Sequence, residues 1–352
     1  MKLFNRVSSL LLVALTTLSG AQSASPGSIP GTTSEYAQVR GHKYHYLLSE
    51  PDGTPNGTIL LLHGFPDIAY GWRYQVPLLS SLGYRVIAPD LLGYSDTDSP
   101  CELENWTRKE MSADMAALLN QVAPGEQVIV GGHDWGAGLT YNFAMWHPEL
   151  VKALFTAAIP YTTPWLGPVT EWADTADLVA NGTYPTFGYQ LQWRDQSIDR
   201  NFTTASDFRM MFNTLFGGTT PDGQPGFSPE AGIAYDLMPL IDSNPLVNEA
   251  DMDIYVDSVM IHGSRGIFNW YRTRRMDWED EQPLASQGRF KFKAPSLFLL
   301  ATKDEVVLPR YYENMGQHFD DLEIKEIESG HWMLWEAREG VNAALESWLG
   351  SL

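Results

Sequence analysis

The chain has 352 residues, 44% of them hydrophobic, which is ample for a large core with an inserted second layer. Its 43 acidic residues outnumber the 23 lysines and arginines, giving a formal charge of −20, and that acidity excludes nucleic acid and anionic membrane as partners. A single cysteine, Cys101, excludes an intrachain disulfide and reads as a packed or partly exposed thiol.

At the N-terminus, Lys2 and Arg6 precede the apolar run Leu10 to Leu15, and small residues follow through Ala24. This is the pattern of a secretory leader over residues 1–23, cleaved between Gly20 and Ala24, so the protein is expected to be secreted. The run is too short to span a bilayer, and no later segment approaches that length, so no transmembrane anchor is expected. Losing Lys2 and Arg6 takes the formal charge from −20 to −22. Four Asn-x-Thr sites, at Asn56, Asn105, Asn181 and Asn201, are candidate glycan acceptors. His42 and His45 lie close together on what reads as an edge strand. No carboxylate or thiol accompanies them in the pattern, so they do not argue for zinc.

Thr58-Ile59-Leu60-Leu61-Leu62 is an unbroken apolar run of the kind that forms a buried strand, and His63-Gly64-Phe65-Pro66 follows it. A second run, Gln127 to Val130, leads into Gly131-Gly132-His133-Asp134-Trp135-Gly136-Ala137-Gly138. Glycines on both sides of one reactive side chain, between a strand and a helix, form a nucleophile elbow that lifts the central residue out of the strand's C-terminal end. That residue is Asp134, where serine is usual. The plainer alternative, an aspartate capping a helix, does not call for flanking glycines. A carboxylate is ionised at neutral pH and needs no base to act as a nucleophile, but the ester it forms must then be hydrolysed by an activated water. The N–H groups of Phe65 and Trp135 can converge there as an oxyanion hole. The glycines of this stretch serve the turn rather than a phosphate, so no cofactor is expected beyond water.

Leu154 to Ile159 reads as a further core strand. From there to Ala294 the chain holds five tryptophans, Trp165, Trp172, Trp193, Trp270 and Trp278, with turns over 217–225 and helical stretches over 205–216 and 267–278. These suit an aromatic, α-helical layer with an apolar cleft, or simply internal packing of that layer. Pro295 to Leu300 is a later strand ending in Ala301-Thr302-Lys303-Asp304-Glu305. Leu322 to Ile327 alternates as a half-buried strand and leads to Ser329-Gly330-His331-Trp332. His331 is the candidate base, and Asp304 the acid that orients it, with Glu305 as the neighbouring alternative. Nucleophile, acid and histidine fall in the order of an α/β-hydrolase.

From about Tyr44 onward the chain resembles an epoxide hydrolase of the α/β-hydrolase superfamily. His63-Gly64-Phe65-Pro66, Trp72-Arg73-Tyr74-Gln75, His133-Asp134-Trp135-Gly136 and Gly330-His331-Trp332 carry the likeness. The resemblance implies a mostly parallel, eight-stranded sheet flanked by helices, built from residues 24–160 and 295–352, with an α-helical cap over 161–294. It also implies two cap tyrosines that hydrogen-bond the epoxide oxygen. Phe187-Gly188-Tyr189-Gln190-Leu191 and Asn269-Trp270-Tyr271-Arg272 match those segments, which assigns Tyr189 and Tyr271, with Tyr184 a less suited substitute for the first. Independently of the family, an opening epoxide creates an alkoxide, and a phenol of pKa about 10 can donate to it while staying protonated. Asp67, where glutamate is common, and Ala301, where glycine is common, depart from the family pattern without removing a catalytic atom.

The expected activity is hydrolysis of a small lipophilic epoxide by water to a vicinal diol. A haloalkane dehalogenase would use the same machinery with Trp135 and a second halide donor, often an Asn at the position that Phe65 fills. A fluoroacetate-type enzyme would want arginines where Trp135 and Ala137 stand. A silent binder of lipophilic ligands would not need an intact acid–base set. Nothing in the pattern sets an oligomeric state.

Overall fold

A computed structural model of the chain describes residues 27–161 and 171–352, so the leader at 1–23 and Trp165 lie outside the described residues. The strands of the main sheet are β1 (Thr33–Val39), β2 (His42–Ser49), β3 (Thr58–Leu62), β4 (Arg85–Pro89), β5 (Val128–His133), β6 (Val151–Ala157), β9 (Ser296–Ala301) and β10 (Leu322–Ile327). They pair in the order β1-β2-β4-β3-β5-β6-β9-β10, with β2 antiparallel to β1 and β4 and all other pairs parallel. Strands β3, β5 and β9 are buried at every residue, as a parallel sheet covered on both faces requires. The edge strand β10 is only half-buried, in keeping with its alternating sequence. This is an α/β-hydrolase architecture, a mostly parallel sheet between helices.

Helix α1 (Val76–Ser81) leads into β4. Helices α2 (Arg108–Val122) and α3 (Trp135–Trp146) pack against each other and precede β5 and β6 respectively. Among the described residues, six α-helices come between β6 and β9: α4 (Thr175–Ala180), α5 (Tyr189–Arg194), α6 (Ala205–Leu215), α7 (Glu249–Met260), α8 (Ser264–Asn269) and α9 (Arg274–Ser286). A two-residue ladder of β7 (Phe227–Ser228) and β8 (Gly232–Ile233) is the only β pairing between named strands in that stretch, among the described residues. The α6 N-terminus is fixed by a reciprocal capping box between Thr204 and Asp207. Helices α10 (Met333–Glu336) and α11 (Arg338–Leu349) close the chain.

Several expectations need correction. The sixth strand begins at Val151, not Leu154, and stops at Ala157, because Ala158 turns to φ 66°. The helical stretch over 267–278 is broken at Trp270–Thr273 into α8 and α9. β2 is not an edge strand, since β1 covers it, and His45 does meet a carboxylate: its Nδ1 lies 2.6 Å from Asp90 Oδ2. Of the two readings given for Cys101, packed or partly exposed, the exposed one holds. Among the described residues no helix is long and apolar enough to cross a membrane.

Candidate active site

The parallel β3, β5, β9 and β10 all run the same way, so the loops after them gather at one end of the sheet. The first is the β5–α3 turn. Asp134 sits there at φ 53°, ψ −123°, a conformation that costs a non-glycine residue about 1–3 kcal/mol and is retained where function needs it. Its side chain does not cap α3. The turn is possible because α3 is pressed onto the sheet. A Cβ on Gly136 would lie 2.0 Å from the Leu62 carbonyl oxygen, and one on Gly132 would lie 2.2 Å from that of Gly136. Only glycine fits at either position.

The loop after β3 brings the Phe65 N–H to Asp134 Oδ1 at 2.8 Å. Its approach leaves no room for a side chain at Gly64, whose Cβ would fall 2.5 Å from Asp134 Cβ and Oδ1. The Trp135 N–H also favours the charged form of this carboxylate. Burial raises the Asp134 pKa, and the opposing pulls are the His331 charge and these two N–H groups. The two expected oxyanion donors therefore converge on Asp134 itself.

His331 and Asp304 arrive on the loops after β10 and β9, which are tied together by Thr302 N–H to Ile327 O and Lys303 N–H to Ser329 O. The His331 Nδ1–H donates to Asp304 Oδ2 at 2.8 Å, and its Nε2 faces Asp134 Oδ2 at 3.6 Å. Asp304 Oδ1 accepts the Val306 N–H, while Glu305 is exposed and makes no such contact. Burial alone would depress the His331 pKa, but the charge and hydrogen bond of Asp304, then the charges of Asp134 and Glu336, raise it to about 9. The folded state therefore holds this proton more tightly than the unfolded chain. That stabilisation is complete below pH about 6.5 and lost as pH rises through about 9. The Tm advantage of wild type over His331→Gln should shrink across that interval; an advantage that grows with pH would contradict this electrostatic reading.

Tyr189 opens α5, and Tyr271 lies in the break between α8 and α9, so the feature that interrupts the expected helix carries a site residue. Their rings are 6.1 Å apart, and Tyr271 stands edge-on to both Trp135 and Phe65 at 5.1 Å. Burial, with the nearby Asp134 charge among the further causes, raises both phenol pKa values, so both stay protonated at working pH. Tyr189 shares with Asp134 a cavity of about 390 Å³ whose walls are mostly apolar. Tyr184 lines the cavity too, stacked on Phe187.

Three features escaped the sequence reading. His133 donates from Nε2 to the His331 carbonyl oxygen at 2.8 Å; burial and the His331 charge depress its pKa to about 3, which keeps it neutral. Glu336, in α10, clamps the histidine loop: it accepts the N–H groups of Gly330 at 2.9 Å and Trp332 at 3.0 Å and the Ser329 hydroxyl at 3.2 Å. Asp67 is buried behind the Phe65 loop, where burial lifts its pKa to about 7, and it accepts the Tyr255 hydroxyl of α7 at 2.9 Å. The His133 and Asp67 pairings have no sequence pattern because each joins distant segments, whereas the Glu336 clamp is local and reaches back four to seven residues. Hydrogen bonds to a charged group are worth about 1.5–3 kcal/mol, so Glu336→Ala should lower both Tm and kcat/KM, the latter roughly 10–100-fold. Glu336→Gln should fall between it and wild type. Steady-state rates and thermal melts indistinguishable from wild type would dismiss the clamp.

Residues 57–338 match the alpha/beta hydrolase fold family. Epoxide hydrolase srdG of Neurospora crassa is 37% identical over 318 residues, 87% of this chain and 91% of that protein. Bifunctional epoxide hydrolase 2 of Mus musculus is 30% identical over 83% of this chain, which spans only 51% of the mouse protein. The crystal structure of epoxide hydrolase A from Mycobacterium thermoresistibile is similar with a TM-score of 0.72 at 26% identity, covering 90% of this chain and 98% of that one. Sheet order, site geometry and these likenesses agree, and the chain belongs to the α/β-hydrolase fold family and, within it, to the epoxide hydrolases.

Proposed function

We propose that the protein converts an epoxide and water to a vicinal diol through an ester on Asp134. The observation that carries this reading is the line Asp304–His331–Asp134, spaced at 2.8 and 3.6 Å, with the Phe65 N–H 2.8 Å from the same carboxylate and two protonated tyrosines near enough to feel its charge. An Asp134 oxygen attacks the less hindered ring carbon, the ring C–O bond breaks, and Tyr189 and Tyr271 donate to the alkoxide that forms. Esterification removes the Asp134 negative charge. One of the charges that holds the His331 proton is then gone, so the imidazolium gives that proton up more readily and a neutral imidazole is available when a base is needed.

His331 then takes a proton from water, and the hydroxide adds to the ester carbonyl carbon. The N–H groups of Phe65 and Trp135 stabilise the tetrahedral oxyanion; on its collapse the bond from the carbonyl carbon to the substrate oxygen breaks, the imidazolium proton passes to the departing oxygen, and the diol leaves with the Asp134 carboxyl group restored. Asp304 holds the ring and the imidazolium charge. The segment 161–294 serves as the cap that supplies the tyrosines and excludes bulk water. Phe65, in place of an amide side chain, leaves the dehalogenase alternative without its second halide donor. Diol from styrene oxide, with no halide from 1,2-dibromoethane, is the expected result; the reverse pattern would favour the dehalogenase.

We also propose export through the 1–23 leader. Asn56, Asn181 and Asn201 are exposed and Asn105 half-exposed, positions that a glycan can reach.

A further inference from the structure

Four arginines are enclosed where the cap meets the sheet domain or within the cap, and three of them have carboxylate partners. Arg73 lies 3.6 Å from Asp251, Arg108 lies 3.5 Å from Asp277 and 3.0 Å from Glu281, and Arg272 lies 2.8 Å from Asp199. The fourth is Arg274, the first residue of α9. Its only described hydrogen bond is from Nη1 to the Thr175 hydroxyl at 3.1 Å, and no described carboxylate comes within 4.0 Å. A guanidinium cannot shed its charge, and an enclosed cation without a counter-charge is costly. Acids are not scarce in a chain with 43 of them. Arg274 also lines the same cavity as Asp134 and Tyr189. Of the carboxylates that share this cavity, those of Asp277 and Glu281 are engaged by Arg108, and those of Asp134 and Glu171 lie more than 4.0 Å from the Arg274 guanidinium.

We propose that Arg274 is a substrate-anchoring residue whose counter-charge is supplied by the ligand, so that the preferred substrate is an epoxide bearing a carboxylate or similar oxyanion. This rests on the epoxide-opening reading above. Trp172, Phe187 and Trp278 give the rest of that wall an apolar, aromatic character, suited to the carbon chain between anion and ring. The unpaired charge is then a stability cost retained for recognition, with two consequences: removing it should weaken binding of the anion and should not weaken the fold.

The test compares the terminal epoxide of undecenoic acid with its methyl ester, in wild type, Arg274→Met and Arg274→Lys. A charge-assisted contact predicts a wild-type kcat/KM for the acid about 10–100-fold above that for the ester, expressed mainly in KM. The ratio should fall to about one in Arg274→Met and lie between in Arg274→Lys, with the Met variant melting no lower than wild type. Binding of saturated undecanoic acid, read by calorimetry, should weaken in Arg274→Met while that of methyl undecanoate does not. Diol from both compounds at equal efficiency in wild type, or a ratio untouched in Arg274→Met, overturns the anchor and leaves the reaction standing. No diol from either compound, with acid binding still dependent on Arg274, sinks the reaction and supports the anchor.

Discussion

Asp134→Asn should reduce kcat/KM for any epoxide the enzyme turns over by roughly 10⁴–10⁶-fold, the scale of losing a covalent nucleophile. The amide keeps the shape of the side chain and can still accept the Phe65 N–H, so the fold and the pocket should survive. What it loses is the lone pair that attacks carbon. It also loses the negative charge that helps hold the His331 proton, so a second signature accompanies the first. The His331 pKa, raised to about 9 in part by Asp134, should move down in the variant when followed by NMR. A structural aspartate capping α3 would predict lower stability and a modest loss of rate, and the absence of any such cap bond already speaks against it.

His331→Gln should separate the two halves of the reaction. The first step needs Asp134 and the tyrosines but no base, so the variant should still open the ring. The second step needs a proton taken from water, and losing a general base costs about 10²–10⁴-fold. Ester should therefore accumulate: one equivalent of epoxide consumed per chain in a burst, with intact mass rising by the mass of the epoxide and the label mapping to the peptide of Asp134. Asp304→Asn should act in the same direction, because it removes the partner that orients Nδ1 at 2.8 Å. A variant that forms diol at the wild-type rate would remove His331 from the mechanism.

Much of this was legible before any coordinates. Strands buried on both faces read as unbroken apolar runs, and Thr58 to Leu62 became β3 residue for residue. The elbow was legible because glycine at 132 and 136 is forced by backbone atoms about 2 Å from where a Cβ would be, a constraint that leaves a mark in the sequence. Errors arose where local pattern and tertiary contact diverge. Exposed Lys152 interrupts the apolar run of β6 and hid its first turn of the pattern. The polar β1, Thr-Ser-Glu-Tyr-Ala-Gln-Val, did not read as a strand, which left β2 looking like an edge. The break at Trp270–Thr273 contains neither proline nor glycine, so nothing local announced it. The Asp67–Tyr255 bond and the solitary charge of Arg274 depend on residues brought together from distant parts of the chain, and periodicity does not record such meetings. The Glu336 clamp is local, but a lone glutamate after a loop has no pattern that marks it as one.

The central claim is that Asp134 becomes covalently bonded to substrate, and a single turnover in heavy-oxygen water tests it most directly. With enzyme in excess over epoxide, the hydroxyl gained by the diol should come from the Asp134 carboxylate and be unlabelled, while the heavy atom appears in the Asp134 peptide. Heavy oxygen found in the diol of that first turnover, with Asp134 unlabelled, would mean that water attacks the ring directly and that the ester does not form.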